Sequence, residues 1–247
     1  MKKLKRTIIY AALIGSLSGI TLASCEDMFG DFLDKQPSNE LTEEEVFSQW
    51  TTTQEFHFDT YNFLRHGACR INHSWLDSAT DLAETSYASG GTRTSFNIGN
   101  YYSSNASNEL TSPWEHYYRG IRKCNMLLER IDNVPKSSDL SQERYETDKK
   151  NYKAEARFLR AFFYWEMFLR YGAIPLVTDV LDPDGDLLSN YTTRPTIKEY
   201  VVDFILKELK ECESDLMTQA TSKESGNQGR INQPMARALY SRIMLYM

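Results

Sequence analysis

The stretch that most constrains the fold of this chain runs from residue 141 to residue 171, where apolar residues recur at helical spacing on two faces. These residues are Tyr145, Tyr152, Ala156, Leu159, Phe163 and Met167 on one face and Ala154, Phe158, Ala161, Trp165 and Phe168 on the other. A helix that is apolar on both faces is buried between neighbours. Gly172 suits the position just past the helix end, and Pro175 prevents the helix from continuing. The sequence therefore predicts a long helix that other elements cover from both sides.

Further helix starts are marked by capping boxes, in which a hydroxyl residue is followed three residues later by a carboxylate. They begin at Thr42, Thr52, Ser112 and Thr196, and a last segment with helical spacing begins at Asn232. We therefore expect helices that start near residues 53, 113, 142, 196 and 232. The intervals between these starts are unequal, so they do not establish a regular repeat.

Two of these segments carry apolar stripes that should be buried. The stripe of the second predicted helix consists of Trp114, Tyr118, Ile121, Leu128 and Ile131. The stripe of the last consists of Met235, Leu239, Ile243 and Tyr246. No Gly, Pro or polar run follows this stripe before Met247, so we expect the chain to end inside a helix.

With 12 Gly and 7 Pro, the composition is poor in turn residues. The predicted fold class is all-α, built from antiparallel helix pairs.

A loop interrupts the helices between residues 71 and 111. It is rich in Ser, Asn, Gly and Tyr, and we expect at most a short helix near Asp77 to Tyr87. Loops of this length inside a compact domain are usually functional or disordered. The loop is therefore the first place to look for a binding site.

The N-terminus has the pattern of an export signal. Four cations in the first six residues precede the charge-free stretch from Thr7 to Leu22, which is too short and too broken by Gly and Ser to span a membrane. Small residues then precede Cys25, and this arrangement resembles the lipobox of bacterial lipoproteins. We predict a signal peptide over residues 1–24 and acylation of Cys25, which would tether the protein to a membrane. The alternative is an ordinary secretory leader with an incidental cysteine.

Charge and cysteine content exclude other classes. The chain has 28 Lys and Arg against 34 Asp and Glu, and four of the cations lie in the leader, so the remainder has a net charge of −10. An acidic surface argues against nucleic acid as a partner. The remaining cysteines, Cys69, Cys124 and Cys212, form no CxxC pair, and we expect buried thiols rather than a redox or zinc motif.

Several motifs, taken in their order along the chain, resemble the RagB/SusD family of surface glycan-binding lipoproteins. They are Cys25-Glu26-Asp27 with Asp31 to Asp34 and Pro37; Trp114, Tyr118, Ile121 and Asn125; Ala154 to Ala161; Tyr171 to Val177; Arg194-Pro195-Thr196; and Arg230-Ile231-Asn232 with Ala236 to Leu239. Each motif alone is weak, but their common order is specific. One departure is Lys207 to Lys210, where the family commonly has an Asp-Leu pair.

This resemblance implies tetratricopeptide-type helix pairs that support an irregular, loop-rich remainder, with residues 25–247 forming a SusD-like N-terminal domain. It implies a lipoprotein of the outer membrane, facing the cell exterior. It also implies an oligosaccharide or polysaccharide ligand and a SusC-like TonB-dependent transporter that receives it. Glu26 and Asp27 resemble the family's surface-export signal. Family members are considerably longer, and much of their ligand-binding region lies beyond the part represented here.

Sugar recognition needs an aromatic face for the C–H side of a pyranose and planar polar groups for its hydroxyls. The loop offers both. The candidate ligand-binding residues are Asp81, Arg93, Tyr101, Tyr102 and Asn105. The alternative is that the tyrosine pair only anchors the loop to the core.

Two alternative functions remain open from the sequence. The first is a helical-repeat scaffold that binds only proteins. The second is a glycosidase, because Asp77, Asp81 and Glu84 share one face if they lie on a helix, at a spacing near that of a retaining carboxylate pair. A solvated helix face explains this spacing more simply.

Asp182 to Asp186 is interpreted as an acidic surface turn rather than a calcium loop. We expect no catalysis, no cofactor and no metal.

Overall fold

The structure is a computed structural model that describes residues 41–65, 76–84, 92–100, 102, 108–182, 184–186 and 191–247. The chain divides into residues 1–42 and residues 43–247, and all the helices given below belong to the second unit. The α-helices are α1 Glu43–Val46, α2 Trp50–Asp59, α3 Thr92–Asn97, α4 Asn108–Arg130, α5 Gln142–Tyr171, α6 Lys207–Glu213 and α7 Gln233–Tyr246. A π-helix, π1, spans Lys198–Leu206 and runs directly into α6, while 3₁₀ turns span Thr60–Phe63, Leu76–Ala79, Ile131–Asn133 and Thr221–Lys223. The part of the chain that the structure describes contains no strand, and none of its helices is both long and apolar enough to cross a membrane.

The long central helix is confirmed with its predicted ends. The side chain of Ser141 caps α5 by accepting a hydrogen bond from the backbone N–H of Arg144 at 3.2 Å. At the other end Gly172 adopts a φ of 71°, and its N–H donates to the carbonyl of Phe168 at 2.9 Å. Only glycine adopts this left-handed conformation without steric cost, so the residue fixes the end of the helix.

Both predicted apolar faces of α5 are buried. Apart from the half-buried Phe168, every residue of the two stripes is less than 10% exposed. The ring of Phe163 meets Tyr117 of α4 at 5.6 Å between centroids, and the ring of Tyr164 meets Tyr200 of π1 at 5.8 Å. The helix is therefore the centre of the core, as its periodicity predicts.

Contacts along α5 define antiparallel pairs. Residues later in α4 and the turn after it meet residues earlier in α5, because Asn125 accepts a hydrogen bond from Arg160 at 2.8 Å and Asp132, just past α4, pairs with Lys153 at 2.6 Å. Helix α7 likewise runs back along α6, because Arg237 near its start pairs with Glu213 at the end of α6 at 2.6 Å, whereas Met244 near its end lines a groove with Lys207 at the start of α6. The all-α architecture of antiparallel helix pairs is confirmed.

Two of the predicted helix starts are wrong. Helix α2 begins at Trp50, and the hydroxyl of Thr52, the predicted cap, donates to the carbonyls of Val46 at 2.6 Å and Gln49 at 3.0 Å instead of accepting from an N–H group. Helix α4 begins at Asn108, so Pro113 lies inside it. Proline has no N–H and cannot make its own helical hydrogen bond, yet the chain is helical on both sides of Pro113.

The predicted starts at Thr42, Thr196 and Asn232 are confirmed, and α1 begins at Glu43, directly after Thr42. At Thr196 the box is complete: its hydroxyl accepts from the N–H of Glu199 at 3.2 Å, and the Glu199 carboxylate accepts from the N–H of Thr196 at 2.7 Å. At the start of α7 the side chain of Asn232 accepts from the N–H of Met235 at 3.1 Å. Both caps use side-chain acceptors for orphan N–H groups at a helix start.

Three residues of the predicted buried stripes are instead exposed. Trp114 is 41% exposed, Met235 is 45% exposed and Tyr246 is 62% exposed. In α7 the buried positions are Ala236 and Ile243, so the inward stripe is displaced by one residue from the predicted start. The spacing of the apolar residues predicts the helix, but it does not predict which face of the helix is turned toward the core.

Candidate functional site

Two short elements of the predicted loop are joined to each other in the structure. The side-chain amide of Asn97, at the end of α3, donates to the carbonyl of Ser78 in the 3₁₀ turn Leu76–Ala79 at 3.3 Å. Gly99 ends α3 with a φ of 70°, and the N–H of Asn100 reaches back to the carbonyl of Ser95 at 2.8 Å. This is a Schellman arrangement, which needs a glycine in the left-handed region. The loop is therefore held in part by specific backbone geometry.

Three of the five candidate ligand-binding residues lie among the described residues. Asp81 is exposed just after the 3₁₀ turn, and Arg93 belongs to the first turn of α3. The Asn97 hydrogen bond thus joins the two elements that carry these residues. Tyr102 is 55% exposed three residues beyond Gly99. Tyr101 and Asn105 lie outside the described residues, as does the predicted acylation site Cys25.

The helical arrangement that would bring three carboxylates onto one face is not present. The 3₁₀ turn ends at Ala79, and residues 81–84 are not helical. The backbone turns there because the hydroxyl of Thr80 donates to the carbonyl of Asp77 at 2.7 Å and accepts from the N–H of Leu82 at 3.2 Å. The described part of the stretch from Asp77 to Tyr87 contains only the end of this 3₁₀ turn, within the expectation of at most a short helix, so the candidate acids do not have helical spacing.

Sequence analysis missed a buried ionic cluster around Glu155. Its carboxylate is fully buried and binds Arg230 at 2.6 Å through Oε1, while Oε2 lies 2.8 Å from His57 and accepts from the hydroxyl of Tyr61 at 2.6 Å. These partners come from α2, the 3₁₀ turn after it, and the segment before α7. Glu155 thus ties three parts of the chain to the central helix.

The cluster holds Glu155 in its charged form. Burial alone would raise the pKa of this carboxyl, but the hydrogen bond from His57 and the charge of Arg230 outweigh burial and keep the pKa below its usual value. A paired and hydrogen-bonded buried charge is a structural element, because removing one partner leaves the other uncompensated.

A second polar cluster lies about one turn further along α5. Arg160 donates to Glu208 of α6 at 2.7 Å and to Asn125 of α4 at 2.8 Å, and Arg157 donates to Glu208 at 2.8 Å. Burial would raise the pKa of Glu208, but these two arginines lower it. The clusters give a physical role to the motif from Ala154 to Ala161: its charged residues connect helices, and its apolar residues fill the core. A glutamate and two arginines on a buried helix were the sequence signal for them.

Other candidate chemical groups are inert or exposed. Burial raises the pKa of the Cys124 and Cys212 thiols to about 12, so both are protonated at neutral pH and behave as small apolar groups, as predicted. Cys69 lies outside the described residues. Asp182 accepts from the N–H of Asp184 at 3.0 Å in an exposed turn. No group of three metal-ligating side chains occurs within the described ranges.

The described chain is an all-α protein whose antiparallel helices surround one buried central helix. A loop between these helices carries an exposed tyrosine. Residues 31–245 match the model of a SusD-like family described as "starch-binding associating with outer membrane". The chain belongs to this SusD-like family.

Relatives and solved structures agree with this assignment. The SusD-like protein P38 of Formosa agariphila is 26% identical over 220 residues, which cover 87% of this chain and 39% of P38. A crystal structure of a SusD-like protein from Bacteroides fragilis is similar with a TM-score of 0.60 and 28% identity, over 86% of this chain and 38% of that one. A laminarin-binding SusD-like protein is similar in fold, with a TM-score of 0.59 and 20% identity over 81% of this chain and 40% of that one. The chain thus spans about two fifths of the length of the proteins it matches.

Proposed function

We propose that this chain belongs to a surface glycan receptor and binds oligosaccharides through the loop between residues 71 and 111, without catalysis. The observation that carries this proposal is the exposure of Tyr102, because 55% of this side chain is open to solvent. An aromatic residue that only anchored the loop would be buried. Family membership supports the same conclusion, since the family model is described as starch-binding.

The chemistry of the candidate residue types suits a sugar. A tyrosine ring offers an apolar face to the C–H side of a pyranose at low entropic cost. The carboxylate of Asp81 accepts hydrogen bonds from hydroxyl groups, and the guanidinium of Arg93 donates them. Such contacts give modest affinity, which suits a receptor that passes its ligand on.

We further propose that the protein is anchored through an acylated Cys25 at the outer membrane, facing the cell exterior, and delivers its ligand to a SusC-like TonB-dependent transporter. The lipobox-like sequence before Cys25 supports the anchor, and the description of the family as associating with the outer membrane supports the location. A transporter that co-purifies from membranes with the wild-type protein tests the partnership.

Native affinity electrophoresis tests the binding site. The full chain carrying Cys25→Ser is run through gels that contain amylopectin, laminarin or other polysaccharides. Starch polysaccharides and laminarin are the first probes because these ligands appear in the family description and in the name of a similar structure. We expect retardation by at least one polysaccharide and a loss of most of it in the Tyr101→Ala/Tyr102→Ala variant.

The matched control is Tyr246→Ala, which removes a tyrosine of α7 that is 62% exposed, against 55% for Tyr102. It should be retarded like the wild type. Circular dichroism must show the same helical content for all variants. Undiminished retardation of the double variant would contradict the proposed site, and binding of proteins but of no polysaccharide would favour the scaffold hypothesis.

A further inference from the structure

Two short elements of the loop, the 3₁₀ turn Leu76–Ala79 and α3, depend on each other for their position. Within the described ranges they pack mainly against each other and not against the long helices. A turn of four residues and a helix of six are too short to be stable alone in water. The contacts between them therefore decide how the candidate residues that they carry are placed.

The side chain of Asn97 supplies a hydrogen bond between these two elements. Its amide Nδ2 donates to the carbonyl of Ser78 at 3.3 Å, from a position 19 residues further along the chain. Ser78 is only 3% exposed, so water competes poorly for this bond. One side-chain amide thus joins α3 to the buried part of the turn.

Hydrogen bonds of Thr80 extend this fixed geometry to the candidate Asp81. The Thr80 hydroxyl donates to the carbonyl of Asp77 at 2.7 Å and accepts from the N–H of Leu82 at 3.2 Å. These two bonds close the backbone into a turn on both sides of Asp81. Asp81 therefore has a defined place relative to Ser78 and, through the Asn97 amide, relative to α3.

Gly99 fixes the direction in which the chain leaves α3. Its φ is 70°, and the N–H of Asn100 donates back to the carbonyl of Ser95 at 2.8 Å. A Cβ at this position would have no neighbour within 4 Å among the described residues, apart from those next to it in sequence. The glycine is therefore required by its backbone conformation and not by lack of space. The exposed Tyr102 follows three residues later, so this turn sets the path of the chain toward it.

We propose that Asn97 and Gly99 are positioning residues of the ligand site, which hold the Asp81 turn, α3 and the approach to Tyr102 in the arrangement that the glycan meets. This inference rests on the proposed glycan-binding function. Both residues act through others and make no contact with the sugar themselves. A site that is ordered before binding loses less conformational entropy when the ligand arrives, so its affinity is higher.

The variant Asn97→Asp tests the hydrogen bond, because it keeps the shape of the side chain while the ionised carboxylate cannot donate. The full chain carrying Cys25→Ser is run in affinity gels with the polysaccharide that retards the wild type. We expect binding about threefold to tenfold weaker than that of the wild type. The matched control is Gln142→Glu, which adds the same charge and removes an exposed amide donor to Glu146 on α5. This control should be retarded like the wild type.

The variants Gly99→Ala and Gly99→Asn test the backbone conformation. Alanine rarely adopts a positive φ, whereas asparagine visits the left-handed region more readily than other residues with a side chain. We expect Gly99→Ala to bind several-fold more weakly and Gly99→Asn to recover part of the loss. Equal binding by Gly99→Ala and the wild type would overturn the role of Gly99.

A second readout separates positioning from a purely structural role. Limited proteolysis should cut Asn97→Asp and Gly99→Ala faster than the wild type between residues 71 and 111. Urea denaturation should give all variants the wild-type free energy of unfolding, because the two elements pack mainly on each other. Faster cutting with undiminished retardation would mark a structural role only, and it would overturn the inference while the loop site stands. Absence of wild-type retardation by every polysaccharide would overturn the inference together with the proposed function.

Discussion

At the scale of single residues, the interior of this protein contains a few charged side chains, and each of them is stable there because it is paired. Glu155 is fully buried on α5 and receives hydrogen bonds from Arg230, Tyr61 and His57. Its carboxylate therefore holds three separate segments against one helix. An uncharged side chain of similar shape at this position would leave the guanidinium of Arg230 buried without a counter-ion.

We expect Glu155→Gln to lower the free energy of unfolding by about 3 kcal/mol, because it breaks a buried pair from one side. Urea denaturation followed by circular dichroism measures the change. The control Glu146→Gln alters a carboxylate on the same helix that is half exposed and paired with Lys149, and exposed pairs contribute at most about 1 kcal/mol. Equal losses in the two variants would contradict a special role for Glu155.

Stability should also depend on pH through the same residue. The folded pKa of Glu155 lies below its ordinary value of 4.5, so the unfolded chain binds the proton more tightly. The stabilisation is then fully present above pH 4.5 and is lost as the pH falls through the folded pKa. We expect the free energy of unfolding to fall below about pH 4.5 in the wild type, and to fall less steeply in Glu155→Gln. Identical acid slopes in the two proteins would count against this account.

At the scale of elements, α4 and α5 approach each other closely at Gly120. A Cβ at this position would lie 2.8 Å from Cε2 of Phe163 and 3.1 Å from the Cβ of Phe63. Phe163 is fully buried, so its ring has little room to move. The glycine is therefore required by the distance between the helices and not by backbone conformation.

The sign of the change in the free energy of unfolding in Gly120→Ala therefore tests how tightly the two helices pack. In an exposed helix interior, replacing glycine by alanine stabilises by up to about 1 kcal/mol. Here we expect a loss of about 1–3 kcal/mol, because the new methyl group overpacks the contact with Phe163. Thermal and urea denaturation report the difference, and a stabilised variant would show that α4 and α5 can separate without cost.

Elements differed in how well the sequence predicted them. Helix α5 was predicted with both ends because its two apolar faces, its Ser141 cap and its glycine stop agree. The starts of α2 and α4 were missed because a threonine or a proline fits both the beginning and the early turns of a helix. The π-helix Lys198–Leu206 was not predicted, since its wider turns bury much the same residues, Val201 and Ile205, that an α-helix would bury.

The candidate site was harder to predict than the core for a physical reason. Core residues repeat with the helical period, whereas a loop that binds a ligand has no period to follow. Composition identified the segment, and the exposure of Tyr102 agrees with that choice. Trp114 was predicted to be buried because a tryptophan at helical spacing resembles a core residue, whereas it is 41% exposed.

At the scale of the whole molecule, one helical framework carries the loop that we propose binds glycans. The buried clusters of α5 fix the helices, and Tyr102 of the loop is exposed to solvent. The division matches a receptor whose rigid body supports an adaptable binding surface. Because the chain covers about two fifths of its relatives, the specificity for one glycan is a property to measure on the longest form of the protein available.

The most direct test is a polysaccharide screen by native affinity electrophoresis on the full chain carrying Cys25→Ser, with reducing ends assayed in the same samples. The account predicts retardation by one class of polysaccharide with no increase in reducing ends, as for a receptor that binds without cleaving. Release of reducing ends would contradict the proposal that the protein is not an enzyme. Unaltered migration in every polysaccharide would contradict glycan binding itself.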